Sequence, residues 1–177
     1  MNPIDDLFRS FRATGRKAFM PFVTAGDPDL AFTRELLPAV AESGANLIEV
    51  GFPFSDPVAE GPPIQRAAQR ALAKGMTLTG VLALVRAFRE QDQTTPVILM
   101  GYANPLVGLG YKAFARDAAE AGVDGLIVVD IPPEEAGPLA DALDAAELSL
   151  IRLATPTTDD HRLKTVVRRT SGFVYYV

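Results

Sequence analysis

Six short apolar runs, separated by stretches with helical spacing, constrain this chain more than any other feature. They lie at residues 18–23, 46–51, 96–101, 125–130, 149–153 and 172–177. Each is apolar almost continuously rather than at alternate positions, which reads as a strand covered on both faces, the texture of a parallel sheet. Parallel strands need crossovers, and the stretches between the runs supply them. Leu78, Val81, Leu82, Val85 and Phe88 form one apolar stripe, with Thr77 as its N-cap. Tyr111, Phe114, Ala118 and Ala121 form another, closed by Gly122. The segment 28–43 has Asp27 as its expected cap, Pro28 at the first helical position and Gly44 just past its end. Segments 134–145 and 159–169 read as further helices. Ile4, Leu7, Phe8 and Phe11 predict a short amphipathic helix ahead of the first strand.

A helix followed by repeated strand–helix units is an α/β chain with a parallel sheet. Nothing in 1–177 marks a linker or a change of composition, so one domain is expected. An open doubly wound sheet and a (β/α) barrel both fit this order. The first strand–helix turn, Thr24-Ala25-Gly26-Asp27, lacks the glycine-rich dinucleotide fingerprint. Polar residues instead follow or end several strands: Thr24, Asp27, Glu49, Tyr102, Asn104, Asp130 and Thr155. A ring of functional groups at strand C-termini is how barrel enzymes build their sites. A closed barrel takes eight strands over about 250 residues. The expectation is therefore a (β/α)8 TIM-barrel domain, incomplete here with about six strands and truncated after the sixth. Its first and sixth strands would be unpaired edges, which favours association and weakens the fold.

Composition narrows the function classes. The net charge of -5 over 177 residues argues against nucleic acid or an anionic membrane as a partner. A small anionic substrate stays open, because a local site can oppose the global sign. There is no cysteine, so disulfides and thiolate metal sites are excluded. No His or carboxylate cluster has metal-ligand spacing, and no metal is expected. His161, the only histidine, sits in a polar run and reads as a solvated surface residue; Arg162, Lys164, Arg168 and Arg169 read as a wet helix face. No apolar run approaches the roughly 20 residues of a membrane span, and the N-terminus lacks the pattern of a signal peptide. A cytoplasmic location is the expectation.

The chemistry concentrates in residues 47–65, Leu-Ile-Glu-Val-Gly-Phe-Pro-Phe-Ser-Asp-Pro-Val-Ala-Glu-Gly-Pro-Pro-Ile-Gln. A short apolar strand carries Glu49 to its C-terminal end, and a Pro- and Gly-punctuated loop carries Asp56 and Glu60. A carboxylate at the end of an apolar strand is partly desolvated, which raises its pKa toward a useful range. A second carboxylate on a loop completes a plausible acid–base pair. The bland alternatives are an ion pair between Glu49 and a nearby Arg or Lys, and a solvated loop acid at Glu60.

These residues resemble the tryptophan synthase α-subunit family, a family of (β/α)8 barrels. The resemblance covers every visible unit: Pro21-Phe22-Val23-Thr24-Ala25-Gly26-Asp27-Pro28, the whole of 47–65, Met100-Gly101-Tyr102-Ala103-Asn104-Pro105, Gly122-Val123-Asp124-Gly125 with Val129-Asp130-Ile131-Pro132, Pro156-Thr157-Thr158, and Gly172-Phe173-Val174-Tyr175-Tyr176-Val177. It implies a lyase of tryptophan biosynthesis that cleaves indole-3-glycerol phosphate to indole and glyceraldehyde 3-phosphate. Glu49 would be the proton shuttle and Glu60 the anion near the indole nitrogen. Phe22, Met100, Tyr102, Ile127 and Tyr175 would contact the substrate, with plain core packing as the alternative for each. Pro53, Asp56, Asn104, Pro105 and Pro132 would meet a β subunit in an α2β2 tetramer, the alternative being simple turn chemistry. No cofactor is implied for this chain; pyridoxal phosphate belongs to the β subunit, which receives the indole. Two departures stand out. The family usually has Asp where this chain has Glu60, one methylene longer, and its phosphate-gripping backbone near strands seven and eight has no counterpart here. A catalytically inactive α-like subunit that activates a β subunit is the alternative function, and another phosphate-handling barrel enzyme a third.

Overall fold

The computed structural model describes residues 2–177. All six apolar runs form strands: β1 (Phe22–Thr24), β2 (Ile48–Gly51), β3 (Val97–Gly101), β4 (Gly125–Val128), β5 (Ser149–Ala154) and β6 (Val174–Tyr176). Every ladder is parallel and the strands lie in sequence order, β1-β2-β3-β4-β5-β6. Consecutive parallel strands with helical crossovers, curling round a common interior, make an open portion of a (β/α) barrel. The helices are α1 (Pro3–Thr14), α2 (Leu30–Glu42), α3 (Pro62–Ala73), α4 (Leu78–Arg89), α5 (Ala103–Leu109), α6 (Tyr111–Ala121), α7 (Gly137–Ala145) and α8 (Asp160–Val167).

The continuous apolar texture of the strands has two separate uses. Val50, Leu99, Leu126 and Leu150 point outward and pack with Leu37, Val85, Phe114 and Leu143 of the helices. Leu47, Ile98, Ile127 and Ile151 alternate with them and form an inner cluster with Ile4. Helix α1 thus closes the bottom of the barrel, with Ile4 fully buried and the ring of Phe8 5.0 Å from that of Phe173. Gly125 permits this plug, because a Cβ there would lie 2.9 Å from Ile4 Cδ1 and 2.8 Å from Ile151 Cδ1.

Several boundaries differ from expectation. The cap of α2 is Asp29, whose carboxylate accepts from Phe32 N–H at 2.8 Å; the helix begins at Leu30, not Pro28. Asp27 is free to pair with Arg70 on α3, at 2.7 Å and 2.9 Å. Helix α7 starts at Gly137, three residues later than its sequence pattern predicts, because Pro132-Pro133 leads into a turn closed by Glu135 N–H on Pro132 O. Helices α3 and α5 were not foreseen. The buried face of α3 is alanine only, Ala67, Ala68 and Ala71, too weak a stripe to register by hydrophobic period; α5 has only seven residues. No single helix among the described residues is long and apolar enough to cross a membrane.

Candidate active site

Glu49 is the second residue of β2, paired in register between Phe22 and Ile98. It therefore lies within the strand, two residues before its end, and not at the C-terminal end as expected. Strand alternation with Leu47 turns its side chain into the barrel. Glu49 is 2% exposed, and among the described residues its carboxylate meets no cation and no hydrogen-bond donor. The ion pair left open by the sequence is not formed. Burial alone pushes its pKa up to about 7. Across the interior stands Tyr175 of β6, whose phenol is pushed up by burial first and then by the negative charge of Glu49.

One layer above, at the mouth, Gly51 lets the Phe22 ring lie across β2; a Cβ at Gly51 would sit 2.5 Å from Phe22 Cζ. The loop after β2 then brings Glu60 back over the mouth. Tyr102, 2% exposed at the start of α5, donates its hydroxyl to Glu60 Oε2 and accepts from Ala59 N–H at 2.9 Å. Burial, and then the hydrogen bond to Glu60, pushes the Tyr102 phenol up to about 12. Phe54 stacks on the Tyr102 ring with centroids 5.1 Å apart. From α3, Gln65 Nε2 donates to Glu60 O at 2.9 Å. The loop acid is thus anchored at both its side chain and its backbone, and the longer Glu side chain reaches a partner at the mouth.

Phe22, Met100, Tyr102 and Glu60 line one narrow cavity of about 20 Å³, room for a single water. Pro53, Phe54, Ile64 and Ala68 complete much of its wall. Phe54, Ile64 and Ala68 were missed in the sequence; recognising α3, from Pro62 at its first turn, would have pointed to the last two. Ile127 lies deeper, fully buried beside Ile98 and Ile151, and forms no wall of this cavity. Tyr175 is half-buried on the opposite side of the interior.

The residues expected to meet a partner cluster on loops and a helix start at this same end. Asp56, Asn104 and Pro132 are exposed, while Pro53 and Pro105 are half-buried. Asp130, just past β4, accepts from Ala103 N–H at 2.8 Å and so ties the loop after β4 to the start of α5. His161 is exposed on α8, as expected. Among the described residues no group of three or more His, Cys, Asp or Glu is placed to hold a metal ion.

Comparison with known proteins fits this geometry. The family model "Tryptophan synthase alpha chain" matches residues 8–177. The tryptophan synthase alpha chain of Phenylobacterium zucineum is 71% identical over 174 residues, covering 98% of this chain and 63% of that relative. The chain thus spans less than two thirds of that relative's length. The crystal structure of tryptophan synthase subunit alpha from Legionella pneumophila superposes with a TM-score of 0.97 at 46% identity, over 100% of this chain and 68% of that one. A chain from the tryptophan synthase α2β2 complex of Pyrococcus furiosus matches with a TM-score of 0.86 at 40% identity, over 90% of this chain and 67% of that one. On a family match spanning nearly all its length, this chain belongs to the tryptophan synthase alpha chain family.

Proposed function

We propose that this chain carries the acid–base machinery of a tryptophan synthase α reaction, the cleavage of indole-3-glycerol phosphate to indole and glyceraldehyde 3-phosphate. The observation that carries the reading is Glu49: a buried carboxylate without a cation, its pKa near 7, facing the interior of a barrel. Such a group is populated in both protonation states at neutral pH, which suits a proton shuttle. The protonated carboxyl delivers its proton to indole C3, and the ring becomes an iminium-like electron sink. The carboxylate takes the proton of the glycerol hydroxyl as that carbon becomes an aldehyde and the carbon–carbon bond breaks. Positive charge grows on the indole nitrogen along the way, and Glu60, held by Tyr102, is the anion that stabilises it. Phe22 and Met100 offer apolar walls for the ring, and Tyr175 faces Glu49 across the interior.

In this reading the chain needs no cofactor or metal of its own, because two carboxylates supply the proton transfer and the charge stabilisation. Its partner is a pyridoxal-phosphate β subunit in an α2β2 assembly, docked on Pro53, Asp56, Asn104, Pro105 and Pro132. The reaction is cytoplasmic. The cleavage assay with Glu49→Gln decides the central point. Loss of the shuttle should lower kcat by roughly 100- to 10,000-fold while the barrel stays folded by circular dichroism. A variant that keeps most of its kcat would remove Glu49 from the chemistry and sink the proposal.

A further inference from the structure

A second cavity lies at the same end of the barrel, where β4 and β5 part. Strands β4 and β5 pair only from Gly125–Ser149 to Ile127–Ile151, and β5 then runs on to Ala154 without a β4 partner. Where the two separate, a cavity of about 310 Å³ opens, bounded by the Val128–Pro133 stretch, by Leu139 of α7 and by Leu150–Leu153 of β5. It shares no lining residue with the cavity of Glu60 and Tyr102. Leu139 and Leu150 belong to the helix-side core and Val129, Ile151 and Leu153 to the inner cluster, so the cavity spans the parting strands; Arg152, alternating with Ile151 and Leu153, shares the helix side with Leu150.

Arg152 lines it. The residue is only 8% exposed, and its Nε is buried with no hydrogen-bond partner. No N–H of its guanidinium is bonded to any described residue. The acid close enough to act on it, Glu134, is engaged by Arg162, and the nearby Arg169 is engaged by Asp141 and Asp144. The cation is therefore largely covered, with its Nε buried and unpaired and its one neighbouring acid taken by another arginine, a costly arrangement that a bound anion relieves. Most of the wall is apolar, from Leu139, Leu150, Leu153 and Pro133. Asp130 also borders the cavity, and its negative charge favours a singly charged guest over a doubly charged phosphate.

We propose that this cavity is a binding site for a small carboxylate with an apolar body, its carboxylate held in a fork by Arg152 and its body set against Leu139 and Leu150. Of the lining residues only Pro132 also belongs to the expected partner-docking set; Arg152, Leu139 and Leu150 take no part in the cleavage chemistry or the docking proposed above.

Calorimetric titration of the protein with benzoate, with the neutral isostere benzamide and with inorganic phosphate tests the idea, together with methyl NMR. Benzoate should bind at least about 10-fold more tightly than benzamide, as expected for a charge-assisted pair, and more tightly than phosphate. Its perturbations should fall on Leu139 and Leu150 and spare Met100. Arg152→Met should abolish the preference over benzamide and raise the melting temperature of the unliganded protein; Arg152→Lys should retain part of the preference. Equal binding of benzoate and benzamide, stronger binding of phosphate, perturbations centred on Met100, or no binding of benzoate would each overturn the proposal. The wild-type comparison decides the matter even if a variant fails to fold.

Discussion

Glu49 shows how one residue can carry both a function and a cost. Its pKa is raised on folding from 4.5 to about 7. The unfolded chain ionises first, so the stability that folding draws from this group is fully present below pH 4.5 and is lost as pH rises through 7. The loss is on the order of 3 kcal/mol. Urea melts of the wild type and Glu49→Gln should therefore converge near pH 4 and separate by pH 8, with the variant the more stable. Parallel curves would mean that Glu49 is not desolvated. Tyr102 makes a second prediction at this scale. Tyr102→Phe removes the hydroxyl that holds Glu60 and accepts from Ala59 N–H. Leaving such groups unpaired costs about 1–3 kcal/mol. We expect cleavage activity to fall roughly 10- to 100-fold with helix content unchanged, and kinetics of the variant beside Glu60→Gln would show whether the two losses share one interaction. Both acids were visible in the sequence from their place around an apolar strand and its loop. The depth of Glu49 was not, because strand length and register, rather than residue type, decide how far below the mouth it lies.

Among the elements, the start of α2 was misread for a local reason. Asp27 and Asp29 both precede the helical pattern and both are good caps. Only the backbone decides: Asp29 is extended and its carboxylate points back to Phe32 N–H, while Asp27 faces Arg70. Asp29→Ala should cost about 1 kcal/mol, as loss of an N-cap does; Asp27→Ala, which breaks a pair with a largely exposed Arg70, should cost less, within about 1 kcal/mol. Chemical denaturation of the two variants tests the order. A stronger tie joins α4 to the strands. Arg89 donates to Gly122 O at 2.8 Å, Asp92 O at 3.2 Å, Thr95 O at 2.8 Å and Asp124 Oδ2 at 2.7 Å. Burial pushes Asp124 up, and the Val97 N–H and Arg89 hold it down. Removing Arg89 as Arg89→Met leaves that buried acid without its cation, and should destabilise the fold by about 3–5 kcal/mol, measured by the same melts. Arg89 drew no notice in the sequence, since an arginine at the end of an exposed-looking helix face has many fates and its four acceptors come from two separate segments.

At the scale of the whole molecule, β1 and β6 are edges without a second strand neighbour among the described residues. Its surface of 9353 Å² exceeds the roughly 8300 Å² expected of a compact globule of this mass. β6 carries Val174 at 37% and Tyr176 at 69% exposure, an apolar edge that a second chain can extend. This 177-residue chain should therefore self-associate with rising concentration, and Tyr176→Lys should reduce the association; sedimentation velocity that shows a monomer throughout, with or without the lysine, would refute this. Alternation of the elements, the parallel sheet and the barrel reading came from the chain alone, because continuous apolar runs between helical stretches leave few ways to bury both faces of every strand. So did the choice of Glu60, Phe22, Met100 and Tyr102, which line one cavity, through the motifs that carry the family likeness. Tertiary structure alone decided the rest: that Glu49 has no counter-ion, that Tyr102 rather than solvent holds Glu60, that Ile127 is sealed in the core, and that Arg152 is buried beside an open cavity. Each depends on what stands opposite a side chain across the fold, and that distance in space is not written in the order of the residues.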